Sequence, residues 1–322
     1  MSRRGGRSAV KTEAGAAERN YGYIPIAILC NILWGSAIPF INIGYRLFGI
    51  GAGESGSQIL FAGCRFFLAG CITVLIRSLT LKRPALPQRK NLPSVLKLAA
   101  AQTVGQYVLF YIGVAHTASV KASIISGLGA FVSILIASYV FHYETMNRTK
   151  WIGGILGILG VIVMNWRPGG FGGGVTFAGE GALLLSMISC ALSAGLIKRY
   201  SQTEDPVTLN GWQFIAGGAV MVLLGILCGG RLYPQEGGAF LVLLYLACLS
   251  AAAYSLWAML LKTCPISKIA VFMFLQPLFG VILGIVLVRQ KMDIPPAQYL
   301  AALVLVCACI VVIQYRPEEK RA

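Results

Sequence analysis

Hydrophobic positions in this chain come in runs too long and too unbroken for a soluble fold. Ten such runs are present, at approximately Ile24–Leu47, Gln58–Ile76, Leu96–Val114, Ala118–Phe141, Trp151–Asn165, Phe177–Leu196, Val207–Leu227, Phe240–Leu261, Ile266–Val288 and Gln298–Ile313. Most lack the polar face that a helix in water needs, while turn residues and charges collect in the gaps. At about 1.5 Å per residue, some 20 apolar residues cross the roughly 30 Å hydrocarbon core of a bilayer. The pattern therefore predicts an all-α polytopic membrane protein of ten transmembrane helices. The fifth and tenth runs are short and are expected to extend into their flanks. Residues 1–22 are polar and basic, and the run after them is longer than the roughly 7–15 residues of a signal peptide, which points to a cytoplasmic tail before a first span.

One run has a twin. Ala118–Phe141 (ASVKASIISGLGAFVSILIASYVF) lies 148 residues before Ile266–Arg289 (ISKIAVFMFLQPLFGVILGIVLVR), and Ser119, Ala122, Phe131, Ile134 and Leu135 meet Ser267, Ala270, Phe279, Ile282 and Leu283. The same offset brings Gly63, Phe66 and Gly70 onto Gly211, Phe214 and Gly218, and Trp151, Ile162 and Val163 onto Tyr299, Ile310 and Val311. The register needs no gap from Phe61 to Met164. Two five-span units follow, residues 23–166 and 177–315, joined by a glycine-rich outer linker at 167–176 and ended by a short tail at 316–322. Because five is odd, the second unit is inverted relative to the first, and an inverted repeat places a binding site between its copies. The linker is not a phosphate cradle, since no strand precedes it and no GK[ST] closes it.

Composition agrees with a membrane: 57% hydrophobic, 12% charged, mean hydropathy +0.75. The net charge of +16 would suit nucleic acid, but its placement argues against that partner. Of 27 basic residues, 20 fall in segments 3–19, 77–97, 148–150, 198–199, 262–268 and 316–321, all on one side of an alternating ten-span chain. Five fall on the other side (Arg46, Arg167, Arg231, Arg289, Lys291), and Arg65 and Lys121 lie further within spans. This is the positive-inside signature, with both termini cytoplasmic and the lipid bilayer as the partner. The basic loop Leu81–Pro93 is placed beside anionic headgroups. Nine cysteines, odd in number and without CxxC or Cys/His ligand spacing, read as packing residues, so no disulfide framework, metal or cofactor is expected.

Several short motifs resemble the EamA repeats of the drug/metabolite transporter superfamily. They are Leu33-Trp34-Gly35-Ser36 in the first span, Arg65-Phe66 with Ala69 in the second, Thr117-Ala118-Ser119-Val120 entering the fourth, and Leu275-Gln276-Pro277 in the ninth. The resemblance covers about residues 21–315. It implies a bacterial inner-membrane carrier, often an exporter of amino acids or related metabolites, with the third, fourth, eighth and ninth helices at its centre. It also implies a proline in the fourth span; here Gly129 stands opposite Pro277, so Gly127 and Gly129 are the expected loosening points of that helix, and Gly127, Gly129 and Pro277 the candidate hinges.

A charge within a span is a functional candidate by default. Arg65 has two readings, a pairing with helix-end carbonyls or a contact with substrate; Lys121, near the start of its span, either snorkels or meets substrate. None of the eleven acidic residues lies in mid-span, and two buried cations without a buried anion favour a substrate carrying a carboxylate or phosphate. Polar and aromatic residues complete the candidate pocket: Asn31 and Trp34 at i, i+3, Gln102 and Gln106 at i, i+4, then Tyr107, Tyr111, Gln213, Tyr254, Trp257 and Gln276. No catalytic dyad is evident, which disfavours a membrane enzyme. The expected function is a secondary transporter of a small polar metabolite. A phosphorylated or nucleotide-linked substrate is the alternative within transport; an enzyme or receptor is the alternative outside it. Oligomeric state is left open.

Overall fold

The structure, a computed structural model, describes residues 22–51, 53–117, 119–166, 175–288 and 295–315. Both tails, most of the glycine-rich linker and the outer basic residues Arg167, Arg289 and Lys291 lie outside them. Helices account for nearly all of it: α1 Tyr23–Leu47, α2 Ser55–Leu81, α3 Arg89–Ala115, α4 in two pieces Ser119–Gly127 and Gly129–Tyr139, and α5 Arg148–Asn165. The second half follows with α6 Phe177–Tyr200, α7 Pro206–Leu227, α8 Ala239–Thr263, α9 in three pieces Ile266–Ala270, Val271–Phe274 and Leu275–Val288, and α10 Pro296–Tyr315.

Among the described residues nine of these are long and apolar enough to cross a bilayer. The remaining one, α5, has 18 residues and opens on Arg148 and Lys150, which lowers its hydropathy; it packs lengthwise on α10. Its start is set by Asn147, whose side chain accepts from the Lys150 amide at 2.9 Å. Asp205 does the same for α7, accepting from the Thr208 amide at 2.8 Å, with Pro206 in the first turn. Leu79, Leu227, Val304 and Val311 stand largely exposed on the outer faces, as side chains that meet lipid rather than water do.

The inversion of the second half is visible at its closest contact, the crossing of α2 with α7. A methyl on Gly63 would stand 2.6 Å from the Val222 nitrogen, and one on Gly70 2.6 Å from the Ile215 nitrogen. Their counterparts give the reciprocal contacts: Gly211 against Val74 at 2.8 Å, Gly218 against the Phe67 nitrogen at 2.4 Å. Positions rise along α2 as their partners fall along α7, so the two helices are antiparallel and a pseudo-two-fold axis passes between them. Phe66 stacks on its own counterpart Phe214, with centroids 5.0 Å apart, beside that axis. Only glycine lets the two backbones approach this closely. The same antiparallel order recurs at α5 and α10, where Gly153 faces Ile313 and Gly160 faces Val306. These glycines therefore join helices of one chain.

Candidate functional site

Between the halves lies a cavity of about 560 Å³, walled by α1, α2, α3, α4, α6, α8 and α9, with Met164 and Asn165 at the end of α5. Its floor is made by Ile197, Leu261 and Ile266, all almost fully buried. That floor lies toward the end of the molecule that carries Arg77, Lys82, Arg83, Lys150, Lys198 and Lys268, here called the basic end. The second piece of α4 packs on the first piece of α9 there. Among the described residues the reciprocal pairing, Ser119–Gly127 with Leu275–Val288, has no comparable contact. The cavity is thus closed at the basic end and opens toward the other.

A buried ion pair reinforces the closed end. Glu144, just after α4, accepts from Lys150 Nζ at 2.8 Å and from the Ser267 amide in the first turn of α9 at 3.1 Å. Lys150 Nζ also donates to the Thr145 carbonyl at 3.0 Å. Nearby, Lys198 Nζ donates to the Cys264 carbonyl at 2.6 Å, capping the end of α8.

In the wall, Trp34 stands edge-on to Tyr254 and Trp257, with ring centroids 5.2 and 5.0 Å away. The Tyr107 and Tyr254 hydroxyls are hydrogen-bonded to each other. Arg65 is 4% exposed, with its guanidinium carbon 4.3 Å above the Phe66 ring and 5.8 Å from that of Tyr107. No carboxylate pairs with it among the described residues. Arg65 Nε, Trp34 Nε1, Gln102 Oε1 and Gln106 Oε1 are buried without a hydrogen-bond partner, an arrangement native proteins tolerate chiefly where a ligand or water completes it. Donors and acceptors are both represented.

Local backbone irregularity positions these groups. α3 runs as a π-helix over Ala99–Gly105, the wider turn that carries Gln102 and leads into Gln106. Serines of α6 bond to carbonyls along this stretch, Ser189 Oγ to Ala101 at 2.7 Å and Ser186 Oγ to Gln106 at 2.6 Å. α4 is interrupted at Leu128, between Gly127 and Gly129, and α9 tightens to a 3₁₀ turn just before Gln276 and Pro277. Pro277 supplies no amide to that turn.

Of the residues singled out in the sequence, Arg65, Trp34, Gln102, Gln106, Tyr107, Tyr111, Tyr254, Trp257, Gln276, Gly127 and Pro277 line the cavity. Asn31 does not: it is fully buried in α1, its amide donating to the Ala27 carbonyl at 2.7 Å. Gly129 lies outside the lining, against Met187. Gln213 is buried beside the cavity. Lys121 also stands outside. The expectation of two cations without an acidic partner fails at this residue, because Lys121 Nζ lies 3.0 Å from Glu180 Oε1 at the start of α6, which also accepts from Thr117 Oγ1 at 2.7 Å. Among the described residues only Arg65 remains as a charge in the wall. Sequence reasoning passed over Asn42, Asn165 and the serines Ser123, Ser126, Ser133, Ser193 and Ser250. Small hydroxyls at helical spacing in α4 were the available signal.

Comparison with known proteins agrees with this architecture. A solved crystal structure superimposes with a TM-score of 0.76 over 91% of this chain and 96% of its own, at 16% identity, which shows a shared fold. An uncharacterized transporter of Bacillus subtilis (strain 168), YdfC, is 26% identical over 198 residues, 60% of this chain. The match spans 58% of that relative's length. The EamA-like transporter family matches twice, at residues 22–166 and 177–314, once over each half. With both copies of the repeat matched, this multi-pass membrane protein belongs to the EamA-like transporter family.

Proposed function

We propose that the protein is a secondary carrier that exports a small metabolite bearing one carboxylate, such as an amino acid, across a bacterial inner membrane by alternating access. The observation that carries this reading is Arg65, a buried guanidinium in the cavity wall with no acidic partner among the described residues. A buried cation is stable when a counter-charge meets it, and here the cavity is where one would arrive. Because Lys121 is neutralised by Glu180, a single positive charge remains, which suits one carboxylate better than a phosphate or nucleotide. The unpaired amide oxygens of Gln102 and Gln106 are acceptors suited to an ammonium group. Trp34, Tyr254 and Trp257 offer an apolar wall for the remainder. The cavity volume of about 560 Å³ lies within the roughly 300–1,000 Å³ of small-molecule sites. The positive-inside rule makes the basic end cytoplasmic, and the family resemblance favours export.

Vesicles reconstituted with the protein test the reading. Counterflow of labelled amino acids is expected to be competed by amino acids and far less by their carboxamides or by phosphorylated metabolites. Replacing Arg65→Gln removes a charged hydrogen bond of about 1.5–3 kcal/mol, so affinity for the carboxylate falls roughly 10- to 100-fold. Equal competition by acids and carboxamides, or unaltered affinity in Arg65→Gln, would refute it.

A further inference from the structure

The two-fold relation between the halves lets the opposite conformation be read from this one. When an inverted-repeat carrier opens to its other side, each half takes up the arrangement the other half had. Over α2–α5 and α7–α10 the counterparts are 148 positions apart, the offset that the reciprocal glycine contacts obey. Four counterpart pairs line the cavity from both halves at once: Gln102 with Ser250, Gln106 with Tyr254, Ala122 with Ala270, and Ser133 with Val281. Such positions stay in the wall whichever way the cavity opens.

Arg65 breaks this rule. Its counterpart is Gln213, which is fully buried and absent from the cavity lining. The Gln213 amide oxygen accepts from Thr103 Oγ1 at 2.7 Å, and its nitrogen donates to Asn210 Oδ1 at 3.2 Å. Asn210 Nδ2 beside it has no hydrogen-bond partner. Counterparts of Thr103 and Asn210 are Ala251 and Ala62, so the equivalent place around Arg65 has no such polar socket. We propose that Gln213 takes the place of Arg65 in the wall when the cavity opens to the basic end. One binding site would then offer a guanidinium to one side of the membrane and a neutral carboxamide to the other. A carboxylate arriving from the basic end meets a dipole where, from the opposite end, it meets a full charge. Charge dependence of binding becomes one-sided.

The proposal rests on the alternating-access reading, and the test separates the two. In the full chain with its nine cysteines replaced, single cysteines are introduced and a membrane-impermeant maleimide is applied to vesicles from one side or the other. Ser250→Cys, at a shared position, is expected to react from both sides. Gln213→Cys is expected to react at least about tenfold faster from the basic end, in proportion to the population open there. Ala258→Cys, the fully buried counterpart of the cavity residue Phe110, is a conservative change that gives the same reading if Gln213→Cys fails to fold. Ser250→Cys reacting from both sides, with Gln213→Cys and Ala258→Cys shielded from the basic end, would overturn the replacement of Arg65 and leave alternating access standing. So would equal reaction of Gln213→Cys from either end. Ser250→Cys reacting from one side only would remove alternating access itself.

Discussion

Replacing Glu144→Gln probes the closed end of the cavity most directly. The carboxylate and its partner Lys150 have side chains only 2% and 5% exposed, so solvent screens their interaction little. Removing one member strands the other as a buried charge, at a typical cost of about 3–5 kcal/mol. The Ser267 amide loses an anionic partner at the first turn of α9, an effect of about 1 kcal/mol that overlaps with the first. Because Glu144 also holds the Ser267 amide and so ties the α4–α5 connection to α9, the penalty falls most heavily on the conformation closed at this end. Opening lets water reach Lys150 and relieves it. The single variant is therefore expected to lose stability in detergent micelles and to expose Ile266→Cys to reagents applied at the basic end. The double variant Glu144→Gln, Lys150→Met leaves no stranded charge and is expected to recover most of the loss. Equilibrium or thermal unfolding of the four members of this double-mutant cycle gives the coupling energy. A coupling below about 0.5 kcal/mol, or a double variant no more stable than the single, would refute the view that this pair holds the end shut.

Two further substitutions test the scaffold. Gly218→Ala sets a methyl 2.4 Å from the Phe67 backbone nitrogen, where neither helix has a flexible atom to move. A loss of about 1–3 kcal/mol or more is expected in unfolding measurements, whereas Gly237→Ala, with open space around it, is expected to change stability by less than about 0.5 kcal/mol. Asp205 both caps α7 and pairs in two hydrogen bonds with Arg77, at 3.0 and 2.7 Å. Asp205→Asn keeps the cap and loses a pair that is about a quarter exposed, a change of at most about 1 kcal/mol after screening, while Asp205→Ala loses both and costs about 1–2 kcal/mol more. Equal stability of the two variants would show that the cap is not what Asp205 contributes.

The fold was legible because its physics repeats along the chain. Apolar runs marked the helices, and the 148-residue offset matched Phe66 with Phe214 as counterparts, which the fold then stacks on each other. Within the site, residues whose chemistry is unusual in lipid were the ones found: Arg65, Gln102, Gln106 and Gln276 all reach the cavity. Lys121 was harder, since its partner Glu180 lies 59 positions away at the start of another helix and only packing brings them together. Asn31 and Trp34 share one face of α1, yet the i, i+3 rule does not tell which part of that face meets cavity and which meets protein. The π-helical turn in α3 ends on Gly105, but one glycine in an apolar run fits an ordinary helix equally well, so the order of residues did not foretell it.

At the α2–α7 crossing glycines bring the two backbones into direct contact, and such a contact behaves as a fulcrum rather than a hinge. α2 has 27 residues, so each arm reaches roughly 20 Å from the pivot. Tilting by about 15°, an angle known for rigid rocking of protein parts, sweeps the tip of such an arm through about 5 Å, the bulk of a side chain. Leverage of this kind would unseal one mouth while sealing the other and leave the midpoint undisturbed.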